Sequence, residues 1–125
     1  ACFERYVGNK ILQEKAARIF KNKKITLEEV FELAKKDNTR AIAFWEETGA
    51  HIGRALIGVV NLLNPRLIVI GGGISRSYCF MASTISNIIK ENCMKTQGAM
   101  IKVVRAQLGN DAALLGAFVL VNESI

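Results

Sequence analysis

Cysteine is scarce in this chain, and what there is forms no pattern. Cys2, Cys79 and Cys93 make neither a CxxC nor an even-numbered framework, which excludes a secreted disulfide scaffold and points to a reducing, cytoplasmic setting. Long uninterrupted apolar runs are lacking too. The longest are broken by Arg54, Asn61 and Asn64, well short of the roughly 18 apolar residues a membrane span needs, so no membrane partner is expected. The opening ACFERYVGNK has no basic leader followed by an apolar core and is not a signal peptide. It also has no initiator methionine, so the chain is expected to be a processed product, a tagged version or a fragment. Internal repeats and low-complexity segments are absent, and proline occurs once, at position 65.

What is present is apolar mass. Half of the 125 residues are hydrophobic, enough for one globular domain and not comfortably two. The formal charge is +6, from 17 basic against 11 acidic side chains, a balance that can favour nucleic acid, anionic membrane surface or phosphorylated ligands. The densest basic run, Lys21 to Lys24, has no interleaved aromatic residue and no arginine fork. It therefore reads as a solvated loop rather than a nucleic-acid patch.

Periodicity then lays out the elements. Tyr6, Ile11, Leu12, Ala16, Ile19 and Phe20 fit one or two helices broken at Gly8-Asn9, a turn dipeptide. Thr26 followed by Glu29 is a capping box that starts a short helix with Val30, Phe31 and Ala34 inward, ending at Lys35, Lys36 and Asp37. A long helix runs from about Thr39 to Leu63, with Ile42, Trp45, Gly49, Ile52, Gly53, Leu56, Val59, Val60 and Leu63 on its apolar stripe. Each mid-helix glycine costs about 1 kcal/mol relative to alanine, so Gly49 and Gly53 on one face predict close approach of another backbone. Pro65 stops this helix.

Leu67 to Ile70 reads as a parallel strand covered on both faces, because its apolar character is continuous rather than alternating. After the glycines comes a helix with Phe80, Met81, Ile85, Ile88 and Ile89 inward, then a second strand in IKVVRAQ. A last helix, DAALLGAFVLVNE, is capped by Asn110 or Asp111, and its small residues Ala112, Ala113, Gly116 and Ala117 permit close packing. The fold class is α/β, a sheet flanked by helices with right-handed crossovers.

The chemistry centres on NPRLIVIGGGIS. Gly71, Gly72 and Gly73 stand at the carboxyl end of a strand, where ligands bind in open α/β sheets. Residues without a Cβ let backbone N–H groups reach a phosphate or a flat adenosine face, and they tolerate positive φ. The alternative is a tight strand-to-helix turn with no ligand, and the run matches neither the phosphate loop nor the dinucleotide fingerprint. His51 has no cysteine or histidine at ligand spacing and reads as a surface or helix-packing residue. Asp111 reads as a helix cap favoured by the dipole rather than as a base.

NPRLIVIGGGI, preceded by the glycine-bearing helix ending NLL and followed by LGNDAALLGAFVL, resembles the C-terminal half of the ROK family, bacterial sugar kinases and sugar-responsive transcriptional repressors of the actin-like ATPase fold. ACFERYVGN resembles the tail of that family's cysteine-rich segment, CxCGxxGCxE. Ala1 departs from the usual glycine of that motif, and Gly8 stands where many members have serine. The resemblance implies the C-terminal lobe of the actin-like ATPase (ribonuclease H-like) fold. Residues 1–25 would then close the zinc and sugar-binding segment, and residues 26–125 would form the α/β lobe.

By the same resemblance, Gly71, Gly72 and Gly73 line the adenosine and α-phosphate side of an ATP cleft, Glu4 contacts sugar hydroxyls, and Cys2 is one ligand of a structural zinc. The family's upstream histidine and its other cysteines are missing from this sequence, so zinc is not expected to be held by this chain, since a structural site needs its full tetrahedral set. The family's phosphate hairpin, magnesium-associated aspartate and catalytic aspartate belong to its N-terminal half. No catalytic residue is therefore assigned here, and the chain alone is expected to show no kinase activity and at most weak ATP affinity. The implied partners are a hexose or amino sugar, ATP with magnesium, and a second copy of the chain in a homo-oligomer. In the repressor reading a separate helix-turn-helix domain binds DNA.

Overall fold

Thr26 starts its helix as its sequence predicts. In the computed structural model, which describes residues 2–93, 101–108, 111 and 117–121, the Thr26 hydroxyl accepts from the Glu29 N–H at 3.1 Å and the Glu29 carboxylate accepts from the Thr26 N–H at 2.7 Å. Such reciprocal caps satisfy two donors that the first helical turn would otherwise leave bare. In chain order the elements are α1 (Glu4–Val7), α2 (Asn9–Ile19), α3 (Leu27–Lys35), α4 (Thr39–Leu63), β1 (Leu67–Ile70), a 3-10 helix (Gly73–Ser77), α5 (Tyr78–Asn92) and β2 (Lys102–Arg105). Residues 117–121 are helical as well. The expected cap at Asn110 and the small residues Ala112, Ala113 and Gly116 lie outside the described residues, while Ala117 is exposed.

Helix α4 is the axis of the molecule. Asn38 caps its start by accepting from the Ala41 N–H at 3.1 Å, and Asn64 ends it in the left-handed region at φ 45°, ahead of the proline. Along its middle, α4 packs against α5, and here its glycines are needed. A Cβ on Gly49 would lie 3.0 Å from the Met81 Cβ and 3.1 Å from its Cα, and one on Gly53 would lie 3.1 Å from the Ile88 Cβ. The predicted close approach is real, and α5 is the element that makes it. Phe44, Trp45, Ile52, Val60, Met81, Ile85 and Ile89 form the dry core between these helices, with Leu12, Ala16, Val30 and Ala34 of α2 and α3 closing it.

Strands β1 and β2 are parallel, Leu67 opposite Lys102 and Ile70 opposite Arg105. One expectation fails here. β1 is not covered on both faces: Ile68 and Ile70 pack on the core, while Leu67 and Val69 are each about half exposed. The physical reason is that the described sheet has only these two strands, with helices against one face. The stripe of α4 fails in the same region, because Val59 and Leu63 belong to the same exposed apolar surface. No described helix is long and apolar enough to cross a membrane.

Candidate functional site

The glycine turn is held in place from two sides. Tyr78, at the start of α5, donates its hydroxyl to the Val103 carbonyl of β2 at 2.5 Å, and burial pushes its pKa up. This ties the helix that follows the turn to the strand beside the one that precedes it. On the other side, the Asn9 side chain stands 3.6 Å from where a Gly73 Cβ would be, so the start of α2 abuts the turn. Gly8 makes that approach possible: a Cβ there would fall 2.6 Å from the Glu4 carbonyl oxygen, which already accepts the Gly8 N–H.

The three glycines are not alike. Gly72 lies at φ 81°, ψ −173°, a region open almost exclusively to glycine. Gly71 and Gly73 have ordinary backbones and room for a methyl group, the nearest atoms to a built Cβ being Ala106 Cβ and the Asn9 amide at 3.6 Å. The conformation of the chain therefore explains one glycine of three.

Beside the turn is a cavity of about 700 Å³. Its apolar lining includes Leu27, Phe31, Ile74 and Leu108, and its polar lining is Asn9, Gln13, Glu28, Ser75, Arg76, Ser77, Gln107 and Asp111. Ser75 and Ser77 are buried. Trp45 also lines the cavity. Its indole nitrogen is the one enclosed side-chain polar atom among the described residues without a partner, and a donor left unmade in this way costs about 1–3 kcal/mol. Arg76 of the 3-10 helix pairs with Glu28 of α3, a bridge between exposed side chains on either side of the cavity. Asp111, read as a helix cap, also stands on this cavity.

Glu4 is exposed in the first turn of α1. The packing that positions it is the stack of Tyr6 on His51, ring centroids 4.9 Å apart, which joins α1 to α4. His51 is thus a packing residue, and it sits 3.8 Å from the Glu47 carboxylate. That carboxylate is held below its usual range, chiefly by its hydrogen bond from Lys15 of α2, 2.6 Å away. Lys21 to Lys24 form an exposed loop. Cys2 and Cys79 are exposed, and Cys93 is buried, which pushes its thiol pKa up. Among the described residues no three His, Cys, Asp or Glu side chains come together, so the residues present do not fit a closed tetrahedral zinc site.

The structure therefore brings Gly72 and Gly73 to a cavity and places Glu4 one short helix away, at the far side of Gly8. Sequence reasoning missed Trp45, Ser75 and Ser77. Trp45 was absorbed into the apolar stripe of α4, although an indole always carries a donor that needs a partner when buried.

Over 132 residues the chain is 26% identical to the DNA-binding transcriptional dual regulator NagC of Escherichia coli, covering 99% of this chain and 32% of the regulator. It is 30% identical to a glucokinase of Halalkalibacterium halodurans over 101 residues, 79% of this chain and 30% of that enzyme. A crystal structure from Cytophaga hutchinsonii that carries a sugar-kinase assignment superposes with a TM-score of 0.82 at 25% identity, over 95% of this chain and 43% of that one. The chain thus spans about a third of the length of the curated relatives it matches. The family model described as "ROK family" matches residues 1–124, and the chain belongs to the ROK family.

Proposed function

We propose that this chain is the C-terminal part of a ROK sugar kinase of glucokinase type, and that its glycine turn holds the adenosine side of ATP while the γ-phosphoryl group passes to a hexose hydroxyl. The observation that carries this reading is the room beside Gly71 and Gly73. Neither packing nor backbone conformation asks for glycine at these positions, whereas a ligand laid against the turn would. Gly71, Gly72 and Gly73 then present backbone N–H groups and a flat surface to the nucleotide. Glu4, in the segment of residues 1–25, orients the sugar by accepting from its hydroxyls.

In-line phosphoryl transfer depends on positioning and charge stabilisation, and this chain contributes positioning alone. The carboxylate base and the groups around magnesium belong to the other half of the family's fold, so no residue of this chain is given a catalytic role. Cys2 would join a zinc site only together with ligands from elsewhere. The bare apolar surface at Leu62, Leu63, Leu67 and Val69 suits a covered face in a two-lobed protein or a homo-oligomer.

One observation favours a second reading. The relatives matched over nearly all of this chain include the regulator NagC, so the same residues would serve equally as the sugar-sensing part of a repressor whose DNA-binding domain is separate. ADP release by the full-length protein with magnesium and zinc, across hexoses and N-acetylhexosamines, decides between them. Turnover on one sugar supports the kinase and names its substrate. Sugar binding without turnover overturns the kinase reading and makes DNA the next ligand to test.

A further inference from the structure

The ion pair between Arg76 and Glu28 spans the cavity from the 3-10 helix to α3. Among the described residues that line the cavity, Arg76 is the one cation, against the carboxylates of Glu28 and Asp111. The lining therefore carries an excess of negative charge, and its cation is already engaged. An anionic ligand entering there meets repulsion unless that cation changes partner.

Arg76 is placed to make that change. Its neighbours Ser75 and Ser77 are each 2% exposed, and Tyr78 is tied to the Val103 carbonyl, so the backbone that carries Arg76 is anchored. Its side chain is 64% exposed, beside a Glu28 side chain that is 67% exposed. Pairs so open to solvent contribute little, so giving one up costs little. Position then decides what the released guanidinium can reach. Arg76 follows Gly73 by three residues within the 3-10 helix, where residues i and i+3 share one face and one turn advances about 6 Å. The arginine side chain thus leaves the helix on the face of Gly73, a residue through which the turn meets the cavity.

We propose that Arg76 binds the nucleotide phosphate nearest the glycine turn, its guanidinium exchanging the Glu28 carboxylate for phosphate oxygens. The planar arginine fork donates two N–H groups to a phosphate in this way. This rests on the nucleotide reading given above. Glu28 is then the competitor that holds the guanidinium until the nucleotide arrives. Arg76 acts in binding and takes no part in the transfer of the γ-phosphoryl group.

The experiment measures the ATP and adenosine affinities of the full-length protein, as wild type, Arg76→Gln, Glu28→Gln and the double variant, beside their unfolding midpoints. Both side chains are exposed, so the variants are expected to unfold at the wild-type midpoint. Arg76→Gln should weaken ATP binding about tenfold, the loss of a charge-assisted contact, and leave adenosine binding unchanged. Glu28→Gln should tighten ATP binding about threefold by releasing the guanidinium. That gain should vanish in the double variant, which has no arginine to release. A gain that persists without Arg76 makes Glu28 a source of simple repulsion and overturns the exchange. Equal losses of ATP and adenosine in Arg76→Gln, or an ATP affinity indifferent to it, overturn the exchange as well, and in each of these cases the nucleotide reading stands. No ATP binding by the full-length wild type overturns both.

Discussion

Two sets of glycines in this chain serve opposite ends. Gly49 and Gly53 lie inside a helix, where glycine is costly, and their neighbours account for them: the Met81 backbone and the Ile88 side chain occupy the space a Cβ would take. Gly71 and Gly73 lie in a turn, where glycine is unremarkable, and a Cβ there would meet Ala106 and Asn9 only at an ordinary contact distance of 3.6 Å. The first pair is explained by the fold; the second points outside it. Glycine is therefore informative in proportion to what a Cβ would meet, and a position that would admit a methyl group leaves its glycine unexplained by the fold.

Substitution can break this comparison. The largest effect belongs to Gly49→Val, which drives two methyl groups into α5 and should lower stability by about 3 kcal/mol through overpacking; urea unfolding midpoints measure it, and a loss smaller than about 1 kcal/mol would show that α5 can yield. Gly72→Ala comes next. At φ 81° it stores strain of about 2 kcal/mol, read by the same unfolding curve. Gly71→Ala and Gly73→Ala should both stay within about 0.5 kcal/mol of the wild type, because their new methyl groups meet nothing closer than 3.6 Å. The smallest effect is electrostatic and sets the baseline on α4. The Glu47 pKa is lowered in the folded chain from an ordinary value of 4.5, first by the Lys15 hydrogen bond, so its contribution is present above that value and fades as the pH falls through the lowered one. Glu47→Gln should flatten that acid-side loss slightly, since the pair is partly exposed and such pairs contribute little.

Local signals were the legible ones. The capping box at Thr26, the stop ahead of Pro65, the break at Gly8 and the 25-residue span of α4 follow from side-chain chemistry within a few residues of each site. The glycine turn was legible as a candidate because strand and turn are adjacent in sequence. The cavity was not, because its walls come from α2, α3, α4 and the segment after β2, and only folding brings those together. The indole N–H of Trp45 was hidden for a related reason: hydrophobic periodicity counts tryptophan as apolar and ignores its donor. The bare face of β1 was misread because a continuous apolar run predicts two covered faces, whereas the described residues cover one.

The central claim is that the glycine turn is shaped for a nucleotide, and its most direct test is the ATP affinity of the full-length protein carrying Gly73→Ala beside the full-length wild type, measured with both unfolding midpoints. The account predicts an unchanged midpoint and an affinity reduced by about tenfold, or 1.4 kcal/mol. Equal ATP affinity in the two proteins, or no ATP binding by either, would contradict it.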